Sequence, residues 1–182
     1  MDIQLSDTPQ HHPDCCLGLS KLLLEILRDL LPEPPEYGLS VGSGSGLLEA
    51  LILQRHSTKK TYGVEVSDSV NKYLPQELMR VVAGTRDLCE AAAEASAWMF
   101  VYPREPQLVA RYLESFGEGC VNRIVWLGPH ADLADYEPIF STLAGWRKMW
   151  WVAGLGIAPY ETMAVVEREG SDSFLSRIGA QP

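Results

Sequence analysis

A chain of 182 residues with an apolar fraction of 46% has the length and composition of one folded domain with a sizeable core. A formal net charge of −9 argues against binding bare nucleic acid, which needs basic side chains to neutralise phosphates. No apolar run reaches the length of a membrane span, and four cysteines without paired spacing read as reduced thiols of a cytoplasmic protein, the nucleus not being excluded.

Residues 1–16 are polar and read as a flexible N-terminal tail without the basic-then-apolar pattern of a signal peptide. His11, His12, Cys15 and Cys16 invite a metal, but adjacent ligands suit tetrahedral coordination poorly and no second cluster completes a site, so none is expected. Residues 17–31, "LGLSKLLLEILRDLL", repeat leucine at helical spacing and predict a leading amphipathic helix, stopped by "PEPPE". A short strand over 37–41 then runs into "GSGSG", followed by a helix over 47–54 and a strand over 61–67. Further on, strands are expected over 79–84, 97–103 and 121–129. Helices are expected over 87–95, 106–116 and about 132–146. Two last strands, "KMWWVAGLGI" and "ETMAVVERE", form a hairpin turning at 158–160, and residues 171–182 read as a polar tail.

Alternating strands and helices predict an α/β fold: a three-layer α-β-α Rossmann-like sandwich around a seven-stranded, mostly parallel sheet, with one antiparallel strand from the C-terminal hairpin. One domain is expected over 17–170. In such a sheet the ligand lies beyond the carboxyl ends of the strands. The first strand ends in Gly42, Ser43, Gly44, Ser45 and Gly46, where glycine permits close backbone approach to a ligand. About twenty residues later Glu65 ends the second strand, where a carboxylate can accept both ribose hydroxyls. A dinucleotide loop would want glycine at position 47, where Leu47 stands, and a P-loop would want a lysine after Gly46.

This G-x-G-x-G loop resembles the first motif of class I S-adenosylmethionine-dependent methyltransferases, and "YGVEVS" and the closing hairpin resemble later parts of that family. The resemblance implies S-adenosylmethionine as cofactor. It places Gly42, Ser43, Gly44, Ser45 and Gly46 under the methionine part and ribose, Glu65 on the ribose hydroxyls and Val66 beside the adenine. Thr85, Arg86 and Asp87, after Gly84, fall where the family holds the adenine amino group, and Tyr102 falls where it places methyl-transfer and substrate residues. The chain departs from the pattern at Ser40, where family members usually carry an acid facing the cationic methionine end. It departs again at Thr85 and at "YPREP". These departures keep open an alternative, a methyltransferase-like pseudoenzyme that serves as a cofactor-binding or protein-interaction module.

Tyr102, Glu105 and His130 are the candidate catalytic residues, since each follows the fourth or fifth strand at the ligand end. Arg104 could bind an acidic group of a substrate. The strands lead almost directly into their helices and leave the site open, so a second copy, another protein or a macromolecular substrate is expected to complete it. "GWRKMWWVAG" is the expected contact face, with Trp150 and Trp151 on opposite faces of a strand, while Trp126 and Trp146 are expected in or beside the core.

Overall fold

The computed structural model describes residues 3–151 and 154–170, and its short apolar runs over 97–101, 123–129 and 161–168 form strands. The elements are β1 (Gln10–His12), β2 (Cys15–Leu19), α1 (Lys21–Leu30), β3 (Gly38–Val41), α2 (Leu47–Arg55), β4 (Thr61–Glu65), β5 (Met79–Val81), β6 (Ala97–Val101), α3 (Pro106–Phe116), β7 (Arg123–Pro129), α4 (Leu133–Ser141), β8 (Trp146–Trp151) and β9 (Glu161–Arg168). Short 3₁₀ turns fill the gaps around β5.

Seven strands form one sheet in the order β5-β4-β3-β6-β7-β9-β8. The strands from β5 to β7 are parallel, and β9 runs antiparallel to both β7 and β8. The expected α/β architecture, with its one antiparallel strand, is therefore what the chain adopts. Its cause is visible in β6, β7 and β9, which are apolar on both faces because helices cover both. Met99, Val125, Leu127, Met163 and Val165 pack under α1 and α2. The alternate residues Trp98, Phe100, Ile124, Trp126, Ala164 and Val166 pack under α3 and α4. The chain leaves β3 for β4 on one side and later returns to β6 on the other. The crevice outside the carboxyl end of β3 is thus the switch point where such sheets bind ligands.

Two local expectations are corrected. The N-terminal segment is not a loose tail, since β1 and β2 form an antiparallel hairpin. The leading helix accordingly starts at Lys21, where the Ser20 hydroxyl accepts the Leu23 amide proton at 3.1 Å. The hairpin's turn residues find their partners far along the chain, and such partners leave no local pattern. The helix expected over 87–95 shrinks to a 3₁₀ turn, Glu90–Ala93. Tertiary partners take its backbone groups instead: Cys89 N–H donates to the Tyr112 hydroxyl at 3.1 Å, and Trp98 Nε1 donates to the Ala92 carbonyl at 3.2 Å. The polar tail expected over 171–182 lies outside the described residues.

Candidate functional site

The short apolar strand β3 delivers the glycine loop to the switch point. Gly42, Gly44 and Gly46 hold φ values of +77°, +58° and +74°, a region that costs other residues strain. A Cβ at Gly42 or Gly44 would meet nothing within 4 Å, so these positions present bare backbone to open space. A Cβ at Gly46 would lie 2.6 Å from Asn71 Oδ1 and 2.8 Å from Leu74 Cβ, so that glycine answers to packing instead. The loop is tied to β4: Gly42 N–H donates to the Val64 carbonyl at 2.9 Å, and Gly44 N–H donates to Glu65 Oε1 at 2.7 Å. Glu65 Oε2 accepts from Val66 N–H at 3.1 Å, so backbone amides orient the whole carboxylate beside the loop. The Ser43 hydroxyl turns toward Gly63 and is buried without a partner. The Ser45 hydroxyl donates to the Asp14 carbonyl at 2.7 Å.

Beneath the loop stands a carboxyl that the sequence reading missed. Glu49, in the first turn of α2, is only 3% exposed. Its Oε1 accepts from the Ser40 hydroxyl at 2.5 Å, while Oε2 is buried without a partner. Burial pushes this carboxyl up to about 7; the Ser40 bond and Glu49's own backbone amide oppose the shift, and the Glu65 charge adds to it. One signal was available in the sequence: Glu49 is the lone acid in the otherwise apolar run "GLLEALIL".

The N-terminal hairpin spans the ligand end of the sheet. Lys72 Nζ donates to Asp14 Oδ1 at 2.5 Å and the Tyr73 hydroxyl to Oδ2 at 2.7 Å, which together hold the Asp14 carboxyl below its ordinary value. His12 sets its ring edge-on to Tyr73. His11 stacks on Tyr160 with ring centroids 5.8 Å apart and shares a hydrogen bond with its hydroxyl. Cys15 is half-buried and Cys16 exposed. Among the described residues, no three of His, Cys, Asp or Glu converge as a metal site.

At the ends of β6 and β7 the polar groups are engaged with one another. Tyr102 takes the unusual φ of +49° and donates its hydroxyl to Glu161 Oε1 at 2.8 Å. Glu161 is fully buried and also accepts from Gly18 N–H at 2.9 Å and Ala158 N–H at 3.0 Å. Burial and the bond to Glu161 raise the Tyr102 hydroxyl above its ordinary value, which makes it a donor near neutral pH. His130 is exposed and shares its Nδ1 with the Thr162 hydroxyl at 3.0 Å. Glu105 forms a surface ion pair with Arg86 at 3.3 Å, joining a candidate catalytic residue to a candidate cofactor residue. Arg104, Thr85 and Asp87 are exposed, as is Val66, and Asp87 N–H closes a turn on the Gly84 carbonyl at 3.0 Å. A cleft of about 730 Å³ beside β5 is lined by Arg80, Val82, Asp87 and Arg111 among others, but by none of the glycine-loop residues. Of the aromatic stretch, Trp146 is buried, Trp150 packs toward Phe140 with centroids 5.9 Å apart, and Trp151 packs on the α1–α2 side. Trp126 is fully buried. No described helix is long and apolar enough to cross a membrane.

No family model matches the chain, and no curated protein matches it. Solved structures do. The plantazolicin methyltransferase BpumL, in complex with a triazolic desmethylPZN analog and SAH, is similar over 82% of this chain and 86% of its own, at 9% identity and a TM-score of 0.60. An rRNA methylase from Streptococcus thermophilus is similar over 80% of this chain and 93% of its own, at 15% identity and a TM-score of 0.58. The methyltransferase domain of bacterial CtHen1 is similar over 81% and 95%, at 13% identity and a TM-score of 0.56. With the strand order and the switch-point loop, these similarities show that the chain has the class I methyltransferase-like fold.

Proposed function

We propose that this protein binds S-adenosylmethionine at the glycine loop and transfers its methyl group to an acceptor. The observation that carries the reading is the open backbone at Gly42 and Gly44, set at the switch point beside the amide-oriented carboxylate of Glu65. The residues present fit the group. Gly42, Ser43, Gly44, Ser45 and Gly46 form the cradle, Glu65 offers two oriented oxygens to ribose hydroxyls, and Val66 offers an exposed apolar side chain for a base to lie against. Thr85, Arg86 and Asp87 are the proposed residues at the far side of the base. Bound there, the cofactor would supply an electrophilic methyl group on a sulfonium. The chain's own work is to orient it and, where the acceptor must lose a proton, to take that proton. Tyr102, its hydroxyl proton given to Glu161, offers its oxygen as an acceptor at the end of β6, while Glu105 and His130 are the exposed groups able to take a proton. The bound SAH of the BpumL structure supports the cofactor. The fold neighbours, being methyltransferases, favour transfer over a purely structural module. A second copy or another protein at the β8 edge is the proposed source of the remaining cover, with the half-buried Trp150 and Trp151 on that strand.

Calorimetric titration with S-adenosylmethionine and with NAD tests the reading. S-adenosylmethionine binds, NAD does not, and Glu65→Ala weakens binding roughly tenfold or more while the protein stays folded. Binding that is absent in the wild type, or unchanged in Glu65→Ala, overturns it.

A further inference from the structure

A buried carboxyl with one oxygen unspent requires an explanation, because burying a polar group without a partner is strongly unfavourable. Glu49 is such a group: one side-chain hydrogen bond reaches it, and the charges that act on it are of its own sign. From β3, Ser40 spends its hydroxyl on Oε1. From β2, Cys15 presents a thiol that burial pushes up to about 12, with further upward contributions from Glu49, Cys16 and Glu161. From β4, the carboxylate of Glu65 repels it. The charges acting on Glu49 and on the thiol beside it are thus acidic. Ser40 lies two residues before Gly42, so its bond ties the carboxyl to the end of β3 that runs into the loop, which is open on its outer side at Gly42 and Gly44.

We propose that Glu49 is the counter-ion for the cationic methionine end of the cofactor, supplying from helix α2 the carboxylate that strand β3 lacks at Ser40. The inference rests on the S-adenosylmethionine reading above. A cation in the loop gives Oε2 its missing partner and relieves the repulsion between Glu49 and Glu65. It also draws off a proton, because a carboxyl held neutral by burial must ionise to pair with a cation. The plain alternative is a neutral acid acting only as a tie between α2 and β3. Glutamine preserves that tie, since its amide oxygen still accepts from Ser40, and it cannot ionise.

The full chain and its Glu49→Gln variant are titrated at pH 6 in two buffers of different protonation enthalpy. The ligands are S-adenosylmethionine, S-adenosylhomocysteine (which keeps the ammonium and lacks the sulfonium charge) and 5′-methylthioadenosine (which lacks both). The wild type releases a proton on binding S-adenosylmethionine. Glu49→Gln binds it roughly tenfold to a hundredfold more weakly and releases none, while methylthioadenosine binds both proteins alike. A matching loss with S-adenosylhomocysteine assigns the ammonium; a loss confined to S-adenosylmethionine assigns the sulfonium. Ligand-free Glu49→Gln melts higher than wild type at pH 8 and with it at pH 4, since the raised carboxyl weakens the fold as pH climbs from the ordinary carboxyl range through about 7. Wild-type binding with no proton release, or a variant that binds S-adenosylmethionine as tightly as wild type, overturns the assignment and leaves the cofactor reading intact. A wild type that binds none of the three overturns the cofactor reading itself.

Discussion

The crevice at β3 and β4 and the crevice at β6, β7 and β9 lie at the same end of one sheet, yet they are built differently. The first is made of backbone. Left-handed glycines shape it, amides aim Glu65, and its polar capacity is held open, as at Glu49 Oε2. The second is made of side chains already committed to partners: Glu161 to three donors, Tyr102 to Glu161, and His130 to Thr162. On the proposed reading a carboxylate at the first crevice serves a ligand, whereas Glu161 at the second is a structural joint. Residue type alone does not separate these roles. What separates them is whether the hydrogen-bonding capacity is spent.

The largest effect that follows is at the joint. Glu161→Ala strands the Gly18 and Ala158 amides in a dry interior and frees the half-buried Tyr102 hydroxyl, and orphaned buried donors cost about 1–3 kcal/mol each. The variant should lose roughly 3–6 kcal/mol, or about 10 °C or more in thermal melting, if it folds at all. Glu65→Ala should lose less than about 1 kcal/mol, because water can reach the amides it frees. Comparable melts for the two variants would erase the distinction between the crevices.

A smaller effect divides the glycine loop itself. Gly46→Ala adds an overlap with Asn71 and Leu74 to the strain of a left-handed φ, and about 2–4 kcal/mol is expected. Gly44→Ala carries the strain alone, about 1–2 kcal/mol, because the space beyond it is empty. Denaturant midpoints rank the two. Gly44→Ala is the one that should weaken S-adenosylmethionine binding out of proportion to its stability loss, and the reverse ranking would mean that the open space faces no ligand.

What could be read from the sequence follows the same division. The sheet was legible because β6, β7 and β9 are apolar runs bounded by glycine and proline, and Gly42 to Gly46 with Glu65 because their spacing is local to one strand-turn-helix unit and the next strand end. The N-terminal hairpin was not, because Asp14 is held by Lys72 and Tyr73, partners that only the fold brings near. Nor was Glu161, which reads as an ordinary polar start to a strand until Gly18 and Tyr102 are seen to close on it. The 87–95 segment has strong helix formers, but tertiary bonds to Tyr112 and Trp98 overrode a propensity worth only fractions of a kcal/mol per residue.

The hairpin joins the two crevices, and loosening it should give the smallest effect. Asp14 latches it over the glycine loop through Lys72 and Tyr73, while Gly18 and His11 hold its other end to Glu161 and Tyr160. The Asp14 carboxyl sits below its ordinary value of 3.8 because both donors favour the charged form. Its contribution is therefore complete above that ordinary value and is lost as pH falls through the lower value of the folded protein. The Lys72 ammonium is exposed, so salt also weakens the latch. Asp14→Asn at pH 7 should leave the melting temperature nearly unchanged, because the core beneath the hairpin is untouched. Hydrogen exchange should quicken across residues 10–19 alone, and added salt should quicken it in the wild type but little in the variant. Unchanged exchange in Asp14→Asn would mean that the joint at Glu161 holds the hairpin by itself, and that the cover over the glycine loop belongs to the second crevice rather than the first.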